Sequence, residues 1–158
     1  MYRNRTRRTL LAVLGLLALA ALITGSALAI SQAVLADANT VNDGTFRSHH
    51  GAIRLRTEGS VRIRDVQTTG AAPGFSSGWH MHSGPVLVAM SPTSTGSLTI
   101  YDDDCEATTI GANQAYIETP NQPVLAVNQS AGNADWVTTM IVPIGVPFTT
   151  PVPPPCNP

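Results

Sequence analysis

After Ala38, no stretch of ten or more residues repeats its apolar positions every 3.6 residues, so the amphipathic helix is excluded as a building block. What the chain offers instead is a series of short apolar runs: Val66–Thr69, Trp79–His82, Val86–Met90, Ser97–Tyr101, Thr108–Ile110, Gln114–Glu118, Val124–Asn128 and Trp136–Val142. Turn-forming clusters separate them, among them Pro73-Gly74, Ser83-Gly84-Pro85, Asp102–Asp104 and Ala131-Gly132-Asn133. Many short strands between Gly/Pro turns predict an all-β sandwich or small barrel. Ahead of them, Ile53-Arg54-Leu55-Arg56 and Val61-Arg62-Ile63-Arg64 flank Thr57-Glu58-Gly59-Ser60. This alternation predicts a hairpin with Ile53, Leu55, Val61 and Ile63 toward the core. Arg54, Arg56, Arg62 and Arg64 would line a solvated face that discourages edge-to-edge pairing.

The 158 residues fit one domain, 43% hydrophobic and 12% charged, which describes a compact chain rather than a disordered one. All nine basic residues are Arg, and none lies beyond Arg64, whereas seven acids follow from Asp65 to Glu118 and Asp135. A domain without clustered cations cannot displace the counterions of a phosphate backbone, so nucleic acid is not an expected partner. The exception is the N-terminus, where Arg3, Arg5, Arg7 and Arg8 precede an uncharged Leu/Ala-rich run from Thr9 to Ala36. That order reads as an export signal, with cleavage after Ala29, Ala36 or Ala38. The run also exceeds the ~20 apolar residues of a membrane span, which would leave the Arg cluster in the cytoplasm. Thr6-Arg7-Arg8-Thr9-Leu10-Leu11 faintly resembles a twin-arginine signal, and the very apolar run after it argues against that route. Residues 1–36 are thus expected to be a signal peptide or membrane anchor, 37–52 a linker or arm, 53–146 the barrel, and 147–158 a Pro-rich tail. Either reading of the N-terminus places the domain outside the cytoplasm, in contact with a membrane only through that segment.

Cys105 and Cys156 suit an oxidising compartment, where a disulfide would tie the tail to the domain. A metal-binding pair and two free thiols are the alternatives, and the lack of a Cys-x-x-Cys spacing weakens the first. Asp102-Asp103-Asp104 with Glu106 lacks the Gly and distal Glu of a Ca²⁺ loop and reads as a solvated turn. Of the four histidines, adjacent His49 and His50 would point to opposite sides of a strand and could not chelate one ion together. His80 and His82, one residue apart, would share a face and could grip a transition metal.

In their setting, Gly74, five residues, then His80-Met81-His82 and the turn Ser83-Gly84-Pro85 resemble the first motif of the cupins, G(X)5HXH(X)3,4E(X)6G. The run from Gly111 through Pro120 to Asn128 resembles the second, G(X)5PXG(X)2H(X)3N, with about two extra residues. Gly78-Trp79-His80, Gly84-Pro85-Val86-Leu87-Val88 and Ser97–Asp102 are similar to small exported bacterial cupins, which also carry a Cys in the acidic loop and another in a Pro-rich tail. The resemblance covers residues 53–158 and implies a cupin-type jelly-roll β-barrel.

In metal-bearing cupins the ligands are both His and the Glu of the first motif with the His of the second. Here the Glu position falls at Val86 or Leu87 and the second His at Val124, with Gln122 two residues earlier. His80 and His82 are therefore the expected metal ligands of a site stripped of two partners. Strand alternation groups Gln114, Tyr116 and Glu118 on one face, which an apolar barrel interior would turn outward. The expected function is an extracytoplasmic binding module whose pocket, with Trp79, Tyr116 and Gln122, holds a small molecule. The alternative is a metal-dependent oxygenase or isomerase whose third ligand comes from Gln122, Glu118 or a second chain. A divalent transition metal would be the cofactor, and cupins often pair through sheet edges as homodimers. No G-x-S-x-G, Cys/His pair or phosphate-cradling Gly loop points to other chemistry.

Overall fold

The computed structural model describes residues 30–48 and 52–158. The expected signal or anchor up to residue 29, and His49-His50, lie outside these residues. Among the described residues every regular element is a strand, as the missing helical period predicts. The strands are β1 (Ser31–Asn39), β2 (Gly44–Arg47), β3 (Arg54–Thr57), β4 (Val61–Ala71), β5 (His80–Met81) and β6 (Val86–Met90). They continue with β7 (Leu98–Tyr101), β8 (Ala107–Ile110), β9 (Ala115–Glu118), β10 (Leu125–Val127), β11 (Ala134–Pro143) and β12 (Thr150–Pro151).

The larger sheet is antiparallel in the order β1-β4-β11-β6-β9. The second layer contains β10-β7-β8 and the pair β12-β5, joined where His80 and Val124 exchange backbone hydrogen bonds of 3.0 and 2.7 Å. From β4 to β11 the chain visits the layers in the order large, small, large, small, small, large, small, large, which is a jelly roll. Between them lies one core, built from Val86, Val88 and Met90 of β6, Leu98 and Ile100 of β7, and Trp136, Met140 and Val142 of β11. Asn128, fully buried, donates to the Ala71 and Gly132 carbonyls and accepts from Ser130, tying the end of β10 to the end of β4.

The expected hairpin across Thr57–Ser60 does not form. β3 pairs instead with β2, and β4 pairs with β1 and β11. Ile53 is 69% exposed and not a core residue. Alternation along β4 explains the misreading: Arg62, Arg64, Val66 and Thr68 share one face, and Val66 and Thr68 line the barrel cavity. Arg62 and Arg64 therefore sit on the barrel side of β4, where both bind Asp37 of β1 and lie over the Phe148 ring. β1 itself begins at Ser31, within the residues expected to be signal, and β2 falls in the expected arm.

Gly84 marks the tightest approach. A Cβ there would overlap the Ile141 carbonyl oxygen and lie 3.2 Å from the Val142 Cα, so the loop entering β6 rests directly on β11. Gly84→Ala is expected to cost about 1–3 kcal/mol through overpacking, read as a lowered urea midpoint at unchanged slope.

Candidate metal centre

The two histidines enter the barrel on β5 and the residue after it. Gly78, at φ 70°, turns the chain so that its carbonyl oxygen meets His80 Nδ1 at 2.8 Å. The Phe148 carbonyl, from the C-terminal segment, meets His82 Nδ1 at 2.6 Å. A carbonyl only accepts, so each Nδ1 must carry the hydrogen, and each neutral ring presents a bare Nε2. This is how proteins orient metal-binding imidazoles, by a partner on the other nitrogen. The rings lie edge to face with centroids 4.9 Å apart.

The third member is Glu118. It ends β9, and the register sets it directly opposite Val86. Cross-strand partners share a face, so Glu118 follows the buried Val86 inward while its neighbour Ile117 stays 66% exposed. The expectation that Glu118 and Gln114 face outward is corrected for Glu118. Gln114 is exposed and instead closes its own turn by accepting from the Gly111 N–H. Glu118 is 5% exposed, its Oε2 lies 3.2 Å from His82 Nε2, and among the described residues that oxygen has no hydrogen-bond partner.

His80, His82 and Glu118 offer ligand atoms all within 4.8 Å of one another. A neutral His82 aims a lone pair at a buried carboxylate oxygen, an arrangement that calls for a cation. Two atoms that each bind one ion at about 2.1 Å, at roughly right angles, lie about 3 Å apart, which matches the Nε2–Oε2 spacing. Two nitrogens and one carboxylate oxygen with further positions open suit a divalent transition metal. The residues present therefore fit a bound ion.

A proton can satisfy the same pair. Burial lowers the pKa of His82, and the Glu118 carboxylate and the Phe148 carbonyl outweigh it, so the net shift is upward. A raised folded-state pKa stabilises the fold below the unfolded value of about 6.5, and that contribution is lost as pH rises through the folded value. EDTA-treated protein should therefore lose part of its stability between pH 6 and pH 8, and a divalent ion should restore it at pH 8. Thermal melts at the two pH values, with and without metal, check this.

The site opens on a cavity of about 440 Å³ inside the barrel. Its wall is mostly apolar, with Val66, Phe75, Val88, Leu98, Ile100, Trp136 and Met140, and Ile30 and Gln32 reach it from the β1 side. Of the expected pocket residues, Trp79, Tyr116 and Gln122, none lines this cavity. Trp79 is half-buried with its carbonyl bound by the Val152 N–H, Tyr116 packs against the core, and Gln122 is exposed.

No family model and no curated protein matches the sequence. Among solved structures 161 chains match. One is a cupin superfamily protein from Desulfitobacterium hafniense, 14% identical over 78% of this chain and 87% of that one, with a TM-score of 0.48. Another is a protein with a double-stranded β-helix domain from Klebsiella pneumoniae, 16% identical over 78% and 84%, with a TM-score of 0.49. A DMSP lyase chain is 14% identical over 59% of this chain, which spans 44% of the lyase, with a TM-score of 0.45. The strand order of the two layers is the deciding observation. The chain has the cupin fold.

The motif resemblance put the expected Glu at Val86 or Leu87, neither of which is a ligand, and the carboxylate beside the histidines is instead that of Glu118, paired with Val86 across the sheet. The position of the second-motif His is Val124, buried and bridged to His80, so it stands beside the site without a donor. What the sequence did contain was the alternation of β9. Ile117 is outside, so the alternation of β9 puts Glu118 inside the barrel beside the two histidines.

Cys105 and Cys156, with Cα atoms 6.1 Å apart, form the disulfide that holds the tail, as expected. The free-thiol and metal-pair alternatives do not apply.

Proposed function

We propose that this protein is an extracytoplasmic, metal-dependent cupin acting on a small molecule inside its barrel. His80, His82 and Glu118 hold one divalent transition metal, and the ion supplies a Lewis-acidic centre with open positions facing the cavity. The reading rests on one observation: the Glu118 Oε2 atom is buried, without a hydrogen bond, and 3.2 Å from the bare nitrogen of His82. Leaving a buried carboxylate oxygen unmatched costs free energy, and proteins retain such a cost chiefly where function uses it. The protein's own contributions are positional. The Gly78 and Phe148 carbonyls orient the two rings, and the apolar wall keeps bulk water from the ligand's body.

This favours an enzyme over a metal-free binding module, because three convergent donors with open positions exceed what a mere pocket needs. Localisation outside the cytoplasm is supported by the disulfide, which suits an oxidising compartment. Export would end with cleavage after Ala29, since cleavage after Ala36 or Ala38 would remove most of β1, including Gln32 of the cavity wall.

The test is metal analysis of the tag-free, oxidatively folded chain beside a His80→Ala/His82→Ala double variant. The expected result is about one equivalent of iron, manganese, zinc or copper in the native protein and none in the variant. Equal metal contents, or a folded native protein that takes up no divalent ion after dialysis, would overturn the reading.

A further inference from the structure

We infer that the cavity takes a molecule with a largely apolar body and one metal-binding head of single negative charge; the inference rests on the proposed ion at His80, His82 and Glu118. Three observations carry it. The volume, about 440 Å³, lies in the range of small-ligand sites, roughly 300–1,000 Å³. The wall pairs Phe75 and Trp136, ring centroids 5.5 Å apart, with Val88, Leu98 and Met140, which suits an aromatic or hydrocarbon body.

The third observation is charge. Apart from His80, His82 and Glu118, no charged side chain among the described residues lines the cavity, and the chain holds no Arg or Lys beyond Arg64. A divalent ion on two neutral imidazoles and one carboxylate leaves a single positive charge. One anionic head makes the complex neutral, whereas a second carboxylate or a phosphate would shed its hydration with no cation to receive it. The other polar side chains of the wall, Gln32, Thr68, Ser76, Ser77, Thr138 and Thr149, are all uncharged and offer no counterion to a second negative group. Gln32 and Thr68 already share a 3.4 Å hydrogen bond.

The test uses the full chain, with Trp79→Phe so that Trp136 is the sole tryptophan, loaded with Co²⁺; the visible spectrum reports the metal and tryptophan emission reports Trp136 in the wall. Titration with 3-phenylpropanoate, phthalate and inorganic phosphate compares one charge on an apolar body, two charges on a ring, and a polar anion. The expected result is that 3-phenylpropanoate shifts both signals at concentrations about tenfold or more below either competitor. Gln32→Arg, a change on the exposed edge strand, is expected to raise phthalate affinity about tenfold by supplying the missing cation. Phthalate or phosphate binding as tightly as 3-phenylpropanoate, or no response to 3-phenylpropanoate in a protein that shows the Co²⁺ spectrum, would overturn the inference alone. Failure of Co²⁺ to bind at all would overturn the metal site and the inference together.

Discussion

Glu118→Gln is expected to empty the metal site and at the same time stabilise the metal-free protein at pH 8, where His82 is neutral. The native carboxylate places its unpartnered Oε2 against the bare His82 Nε2. An amide in its place donates an N–H to that nitrogen and removes a buried charge, a gain of about 1–2 kcal/mol in the absence of metal. With the anionic ligand gone, affinity for a divalent ion should fall on the order of 100-fold or more, since a neutral amide is a far poorer partner for the ion. Urea unfolding of the EDTA-treated proteins measures the first effect, and calorimetric titration with Zn²⁺ or Co²⁺ the second. Opposite signs are the signature of a residue kept for chemistry at a cost in stability. A variant that is less stable without metal and binds metal as before would make Glu118 a structural residue.

The second large effect concerns the tail. Cys105 and Cys156 are 51 residues apart, and chain entropy assigns a cross-link of that span about 4 kcal/mol. The tail does more than add stability, because the segment it anchors reaches the proposed metal site. Phe148 gives its carbonyl to His82, Thr150 and Pro151 pair with Met81 and His80, and the Val152 N–H binds Trp79. The buried Phe148 ring lies 4.9 Å below the guanidinium of Arg62 and 4.1 Å below that of Arg64. Arg62, and with it Arg64, hydrogen-bonds the Asp37 carboxyl and holds its pKa down at about 2. The strand that carries His80 and leads into His82 thus has the disulfide-tied tail as its outer partner. Cys105→Ser/Cys156→Ser is expected to lower stability by about 4 kcal/mol and metal affinity about tenfold or more, as His82 loses the group that fixes its tautomer. Unfolding curves and metal titrations on the same samples separate the two. Full metal affinity in a destabilised variant would show that Phe148 keeps its place without the cross-link.

The fold was legible because its signals are local. Period-two runs between Gly/Pro turns located β6, β7, β8, β9 and β11 to within a residue or three, and His80-Met81-His82 after Gly74 located the site. Pairing was less legible. Ile53–Arg56 and Val61–Arg64 look like two arms of a hairpin, but each finds a partner elsewhere, β2 for the first and β1 with β11 for the second. Nothing within a strand names its partner, since register follows from burial across the whole barrel. The site's carboxylate was hidden for the same reason. Motif spacing looked for an acid at Val86 or Leu87, while the structure supplies it through space, from the residue that faces Val86 on β9. The rule that barrel interiors are apolar then turned Glu118 the wrong way, because it put the apolar Ile117 inside, whereas Ile117 is exposed in the structure. The roles of Phe148 and Ile30 were out of reach, because backbone carbonyls and cavity walls leave no mark in a sequence.

The central claim is that three side chains converge on one ion. Crystals of the oxidised protein grown with Co²⁺ or Zn²⁺ and measured at that metal's absorption edge test it directly. One anomalous peak about 2.0–2.2 Å from Nε2 of His80, Nε2 of His82 and an oxygen of Glu118 is the predicted result. A peak that leaves Glu118 out, or a well-ordered barrel with no peak between the two histidines, would contradict it.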